Sequence, residues 1–183
     1  MIESPKQENF EKYLESGKQT VITPAVLEIA RSFEGTTEQK IHQMVQFLRT
    51  LRYQTENKNE VFRKRTASQI ITDGYVTGCT DDALVFIALA RALSIPTKYI
   101  ETLDLTWLKN GGRPINGHVY VGIQNGVEWK VIDPSARNEN ANIEQDGRVI
   151  IAEGLDSWDI GATDFDSLAK MSEEFREKQQ SQI

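Results

Sequence analysis

The chain has 183 residues, a net charge of −6, 39% apolar and 26% charged residues. That length and balance fit one soluble domain with a full core, and they give no reason to expect a transmembrane segment of about 20 apolar residues. The acidic balance and the lack of any Lys/Arg stripe argue against a nucleic-acid partner.

The first 20 residues are polar, with no apolar stretch of a signal peptide, so the cytoplasm is the expected compartment. Phe10, Tyr13 and Leu14 have helical spacing and predict a short helix against the body. Pro24 opens a predicted helix through Phe33, stopped by Gly35. Thr36 or Thr37 caps the next, whose stripe Ile41, Met44, Val45, Leu48 and Leu51 follows the 3.6 period and ends near Arg52 or Tyr53. Residues 54–65 are charged and aperiodic, and read as an exposed, solvated loop with room for a short turn around Val61-Phe62. Thr66 or Ser68 caps a brief helix through Thr72, ended by Gly74.

The helix from Cys79 to Leu93 is apolar nearly all round, which predicts a central, buried element. Pro96 ends it. Thr97–Leu103, Gly117–Ile123 and Val127–Ile132 read as strands, with Arg148–Ala152 as one more. Residues 104–116 form a loop holding Trp107, which flanks a cleft or plugs a hydrophobic gap. Ser167–Lys178 reads as a charged, peripheral helix. The whole chain is expected to be a single domain, with a core at about 24–152 and peripheral segments at 1–20 and 166–180.

Asn125-Gly126 is a strong hairpin signal, because both residues tolerate the positive φ of a tight turn. A loop of these two residues pairs Gln124 with Val127, and so places His118 directly opposite Asp133 on one sheet face. Cβ atoms of such pairs lie roughly 4.5–5.5 Å apart, within reach of a carboxylate–imidazole hydrogen bond. Tyr120 and Trp129 share that face and are expected to pack the sheet onto the central helix. A bulge would slip the register and send His118 to the other face.

Cys79 is the only cysteine and His118 one of two histidines. That count rules out an internal disulfide and disfavours a structural zinc site. Taken singly, Cys79 reads as a small buried hydrophobe, His118 as a structural histidine, and Asp133 before Pro134 as a strand end. Together they suggest a thiol nucleophile, its proton acceptor and an orienting carboxylate. The start of a helix favours the thiolate, whereas Asp81 and Asp82 oppose it and are read as solvated caps of the first turn. An acyl-transfer site also needs oxyanion donors. The backbone N–H of Cys79 is one candidate, with Tyr53, Tyr75 and Asn116 as others. His42 lies off the apolar stripe and reads as solvated. No metal or other cofactor is expected.

Gly78-Cys79-Thr80-Asp81-Asp82-Ala83 and Ala88 to Tyr99 resemble the nucleophile helix of the transglutaminase-like superfamily. Gly117-His118-Val119-Tyr120-Val121 and Trp129 to Pro134 are similar to its histidine and aspartate strands. The resemblance spans roughly residues 24–136. It implies a papain-like α+β fold, with a central helix on an antiparallel sheet. It also implies Cys79 as nucleophile, His118 as general base and acid, and Asp133 as orienter. The expected activity is thiol acyl transfer on a peptide or protein amide, most simply hydrolysis by a peptidase or amidase. Protein-glutamine transglutamination, peptide deglycosylation and a non-catalytic binding module are the alternatives. Gly78 stands where the family often has an aromatic residue, and Val119-Tyr120 where it commonly has Ala-Trp; both differences point away from protein crosslinking. Substrate and oligomeric state stay open at this level.

Overall fold

The computed structural model describes residues 10–181. Phe10–Leu14 form a 3-10 turn, so the expected N-terminal helix is a short one; residues 1–9 of that polar segment lie outside the described residues. Pro24–Ala30 (α1) starts at a proline whose missing N–H costs nothing there, behind the Thr23 cap. In Thr37–Leu48 (α2), Thr36 and Gln39 make a reciprocal capping box, and Ile41, Met44, Val45 and Leu48 are buried along one stripe. The helix stops at Leu48. Arg52–Tyr53 (β1) instead pair in parallel with Tyr75–Val76 (β2). Neither two-residue strand has a periodic signal, because each exists only through its distant partner.

Residues 54–65 depart from the expected solvated loop. A short helix, Lys58–Val61 (α3), occupies part of the segment, and Arg63 and Arg65 are buried. Ala67–Asp73 (α4) carries a second capping box, Thr66 with Gln69, and ends on Gly74 at φ 71°. Cys79–Ala92 (α5) is buried along nearly its whole length. It contacts α1, α2 and α4 on one side and the sheet on the other.

That sheet has four antiparallel strands: Thr97–Asp104 (β3), Gly117–Asn125 (β4), Glu128–Ile132 (β5) and Arg148–Gly154 (β6). They lie in the order β5-β4-β3-β6. Tyr99, Val119, Val121, Ile123 and Ile132 join α5 in the main core. The segment read as a loop at 104–116 contains Leu105–Asn110 (α6), capped by Asp104. Trp107 on α6 is buried and donates its indole N–H to the Gly112 carbonyl at 3.0 Å, so it acts as a plug. Phe165–Gln180 (α7) closes the described chain.

The hairpin register differs from the expected one. Asn125 pairs with Glu128 and Val121 with Ile132, so the loop is Gly126-Val127 rather than Asn125-Gly126. Positive φ occurs in this turn at Gly126 alone (66°), as in a turn with glycine at its first central position. His118 and Asp133 are therefore not directly opposite; they are diagonal, two residues out of register. A slip of two preserves the alternation of faces, so both still belong to the same side of the sheet. The packing expectation for that side is corrected. Tyr120 joins Ile100 and Ile143 in a second small cluster, away from α5. Trp129 meets Phe10 at a tilt and Tyr13 edge-on, at ring distances of 4.9 and 5.3 Å.

Candidate active site

Cys79 is the first residue of α5, behind Gly78, and its side chain is partly exposed. Amides at a helix start lack intrahelical partners, so the Cys79 N–H points out of the helix beside its own sulfur. The loop before it is pinned by Asp81. Asp81 Oδ2 accepts from the Thr77 amide at 2.8 Å, the Thr77 hydroxyl at 2.9 Å and Arg65 Nη2 at 2.6 Å. Asp82 Oδ1 accepts from Arg137 Nη1 at 2.8 Å. Both aspartates are buried, 2% and 3% exposed, which corrects their reading as solvated caps. Burial pushes the Asp82 carboxyl up to about 6, against the pull of Arg137.

His118 Nε2 and Asp133 Oδ2 are 2.7 Å apart. Asp133 lies one residue past β5, in a turn closed by reciprocal backbone bonds between Asp133 and Asn138. Its Oδ1 accepts from the Ser135 hydroxyl at 2.9 Å and the Ala136 amide at 3.0 Å, so the carboxylate has no freedom to rotate away. The Tyr120 ring meets the imidazole edge-on, at a centroid distance of 4.9 Å. With Nε2 engaged by Asp133, Nδ1 is the ring nitrogen left for Cys79, whose sulfur is near enough to raise the imidazole. The short, well-formed bond of the imidazole is the one to Asp133. A looser thiol contact is usual before substrate binds.

Burial works against charge on His118, but the Asp133 hydrogen bond and the Cys79 sulfur outweigh it and push the imidazole up to about 10. Burial likewise pushes Asp133 up, yet His118, the Ala136 amide and the Ser135 hydroxyl together hold it below the ordinary 3.8. These shifts define a stability window. The raised His118 contributes fully below its unfolded value of 6.5 and loses that contribution as pH climbs through about 10. The lowered Asp133 contributes above 3.8 and loses it as pH falls through its folded value. The difference in urea midpoint between the wild-type protein and His118→Asn should therefore be largest between pH 3.8 and 6.5 and shrink towards pH 10. A difference that grows with pH across that range would contradict the charged pair.

Cys79 also borders a cavity of about 330 Å³, walled by Phe62, Arg63, Glu101, Ile115 and Gly117 among others. Phe165 and Leu168 from α7 complete it, so the helix read as peripheral supplies part of the wall. Arg63 and Glu101 form an ion pair at 2.8 Å with side chains 2% and 1% exposed. Tyr99 donates to the same carboxylate oxygen at 3.0 Å. This buried group was missed in the sequence. Period-two alternation in β3 carried the signal, since it puts Glu101 on the inward face with Tyr99 and Leu103.

The other oxyanion candidates lie elsewhere. Tyr53 is 65% exposed. The Tyr75 hydroxyl accepts from Asn57 at 2.6 Å, and Asn116 Oδ1 accepts from Arg148 at 3.0 Å. None of the three lines the cavity beside Cys79. His42 is exposed, as expected, and pairs with Glu139. Among the described residues, no group of three or more His, Cys, Asp or Glu could hold a metal ion, and no helix is long and apolar enough to cross a membrane.

The family model of the transglutaminase-like superfamily matches residues 27–134, more than half of the chain, and it ends one residue beyond Asp133. The chain belongs to that superfamily. A solved structure from Cytophaga hutchinsonii, provisionally described as a cysteine protease, aligns with a TM-score of 0.66 at 21% identity. The alignment covers 85% of this chain and 50% of that one, so this chain spans half the length of the structure it matches. At that identity the likeness establishes the fold: α+β, transglutaminase-like. No curated protein matches the chain.

Proposed function

We propose that the protein is a thiol hydrolase that cleaves amide bonds through a thioester on Cys79. The observation that carries this reading is the 2.7 Å contact between His118 Nε2 and Asp133 Oδ2, with the thiol as the ring's other neighbour. The His118 ring carries a proton at neutral pH, and the thiolate is the attacking form of Cys79. The thiolate attacks the amide carbonyl carbon and forms a C–S bond, and the carbonyl electrons move onto oxygen. The Cys79 N–H faces that oxyanion. Collapse breaks the C–N bond, and the leaving nitrogen takes the proton from His118. Neutral His118 then removes a proton from water as the water attacks the thioester. The carboxylic acid leaves, and thiolate and imidazolium are restored. Asp133 fixes the ring and stabilises its charge without taking the proton.

Hydrolysis is preferred over transfer to an amine because the cavity at Cys79, about 330 Å³, has room for one group of modest size, and the hollow on the Thr77-Gly78 side of the sulfur, about 40 Å³, has room for water but not for an amine side chain. Transglutamination would need a second amine-binding groove. The free thiol suits a reducing compartment, so the cytoplasm remains the proposed location.

The test is alkylation by iodoacetamide at pH 6, where an ordinary thiol of pKa about 8.5 is only about 0.3% thiolate. Cys79 should react at least about tenfold faster than glutathione at this pH. A rate equal to or below that of glutathione would favour a binding module on the same fold. Active-site turnover should then be sought with a panel of peptide and isopeptide amides, using Cys79→Ala as the blank.

A further inference from the structure

The cavity beside Cys79 has a chemical character that the triad does not explain. Arg63 Nε, Arg63 Nη1 and Glu101 Oε1 are all buried with no hydrogen-bond partner, and both residues line this cavity. A buried polar atom left unpaired costs roughly 1–3 kcal/mol. Three such atoms on one ion pair are what a site looks like when its ligand completes the hydrogen bonding. The pair itself is held in place. Arg63 sits at φ 58°, and its carbonyl accepts from Gln19 Nε2 at 3.1 Å and Trp158 Nε1 at 2.6 Å. Tyr99 and Arg63 both donate to Glu101 Oε2, which leaves Oε1 available. A Cβ built on Gly117 would lie 3.5 Å from that Oε1, in van der Waals contact, so a larger residue at 117 would cover the oxygen further.

The surrounding charge has a sign. Lys58, Arg63 and Arg113 line the cavity against the single carboxylate of Glu101. Arg113 is paired with Glu173 outside it, whereas Lys58 has no carboxylate partner among the described residues. Phe62, Phe165, Ile115 and Leu168 supply apolar walls, with the Phe62 and Phe165 rings stacked at 3.8 Å. Apolar walls with a few convergent polar groups are the usual make-up of a small-molecule subsite.

We propose that this cavity binds the acyl side of the substrate, and that the acyl group carries a carboxylate together with an N–H donor. The Arg63 guanidinium, through one of its two unpaired nitrogens, and the Lys58 ammonium receive the carboxylate, and Glu101 Oε1 accepts the N–H. The assignment deepens the proposed amide hydrolase reading and rests on it for the identity of the occupant.

The test compares alkylation of Cys79 by iodoacetate and by iodoacetamide at pH 7, with glutathione as the reference thiol. The iodoacetate-to-iodoacetamide rate ratio should exceed that of glutathione by about tenfold or more at low salt, and fall towards it as screening rises to about 0.5 M NaCl. His118 contributes to this attraction in every variant, so the cavity's share is read from substitutions. Lys58→Met and Arg63→Met should each lower the ratio at least about threefold. Lys170→Met, an equal charge change at an exposed position of α7 outside the cavity lining, should leave the ratio unchanged. N-acetylglutamate should slow iodoacetamide labelling, and its dimethyl ester should not. A wild-type ratio equal to that of glutathione overturns the proposal, as does a ratio that survives Lys58→Met. If Arg63→Met fails to fold, the Lys58 variant and the salt dependence still decide. The ratio is readable at any absolute rate, so a sluggish Cys79 counts against the thiolate–imidazolium pair and leaves the cavity assignment to be judged separately.

Discussion

Replacing His118 with glutamine should cut the rate of Cys79 alkylation by iodoacetamide at pH 7 by roughly 30-fold. That figure is the most that ionisation can supply, since a thiol of ordinary pKa near 8.5 is about 3% thiolate at pH 7. Glutamine keeps a polar group of similar reach against Asp133 but cannot carry the proton. The loss should fade as pH rises through the ordinary thiol range, because the variant sulfur then ionises unaided. Turnover should fall further, by about 10²–10⁴-fold, since the same ring must also protonate the leaving nitrogen. The pH dependence separates this role from a structural one. A merely misfolded or blocked Cys79 would be slow at every pH. Equal alkylation rates for the wild-type protein and His118→Gln at pH 7 would remove the ion pair from the account.

Much of the molecule was legible because its signals are local. The Thr36–Gln39 and Thr66–Gln69 boxes were prefigured by capping residues before apolar stripes, and α5 by its lack of a polar face. The meeting of His118 and Asp133 was legible for a subtler reason. The turn falls one residue beyond the Asn125-Gly126 signal, but the resulting register shift of two leaves side-chain faces intact, where a shift of one would separate the groups. What could not be read depends on partners remote in the chain. Arg63 looks like any charge in a polar run until Glu101, 38 residues on, is seen beside it. The two-residue strands β1 and β2 define each other and have no pattern alone. Hydropathy counts charges as surface, and the site breaks that rule: Arg63, Arg65, Asp81, Asp82 and Glu101 are all buried.

Substituting Arg65 by methionine should cost about 3–5 kcal/mol of folding free energy, the usual penalty for stranding one member of a buried ion pair. Arg65 reaches two carboxylates, Asp81 at 2.6 Å and Asp73 at 3.0 Å, and its guanidinium lies 4.2 Å from the Tyr75 ring centre. Asp73 is partly exposed and can turn to water; Asp81 is 2% exposed and cannot. Without the cation, the Asp81 charge keeps only the two bonds from Thr77. Neutralising it should restore much of the loss, so Arg65→Met with Asp81→Asn should be more stable than Arg65→Met alone. Urea unfolding of the three proteins measures this directly, and a single-variant loss below about 1 kcal/mol would mean that the pair is worth no more than a surface contact. The consequence for chemistry follows from position. Asp81 is what fastens Thr77 to the first turn of α5, and Thr77-Gly78 is the approach to Cys79. At a urea concentration where Arg65→Met is still folded, its sulfur should therefore be alkylated with a weaker advantage over glutathione than the wild-type sulfur. The same buried charge that taxes the fold holds the nucleophile still.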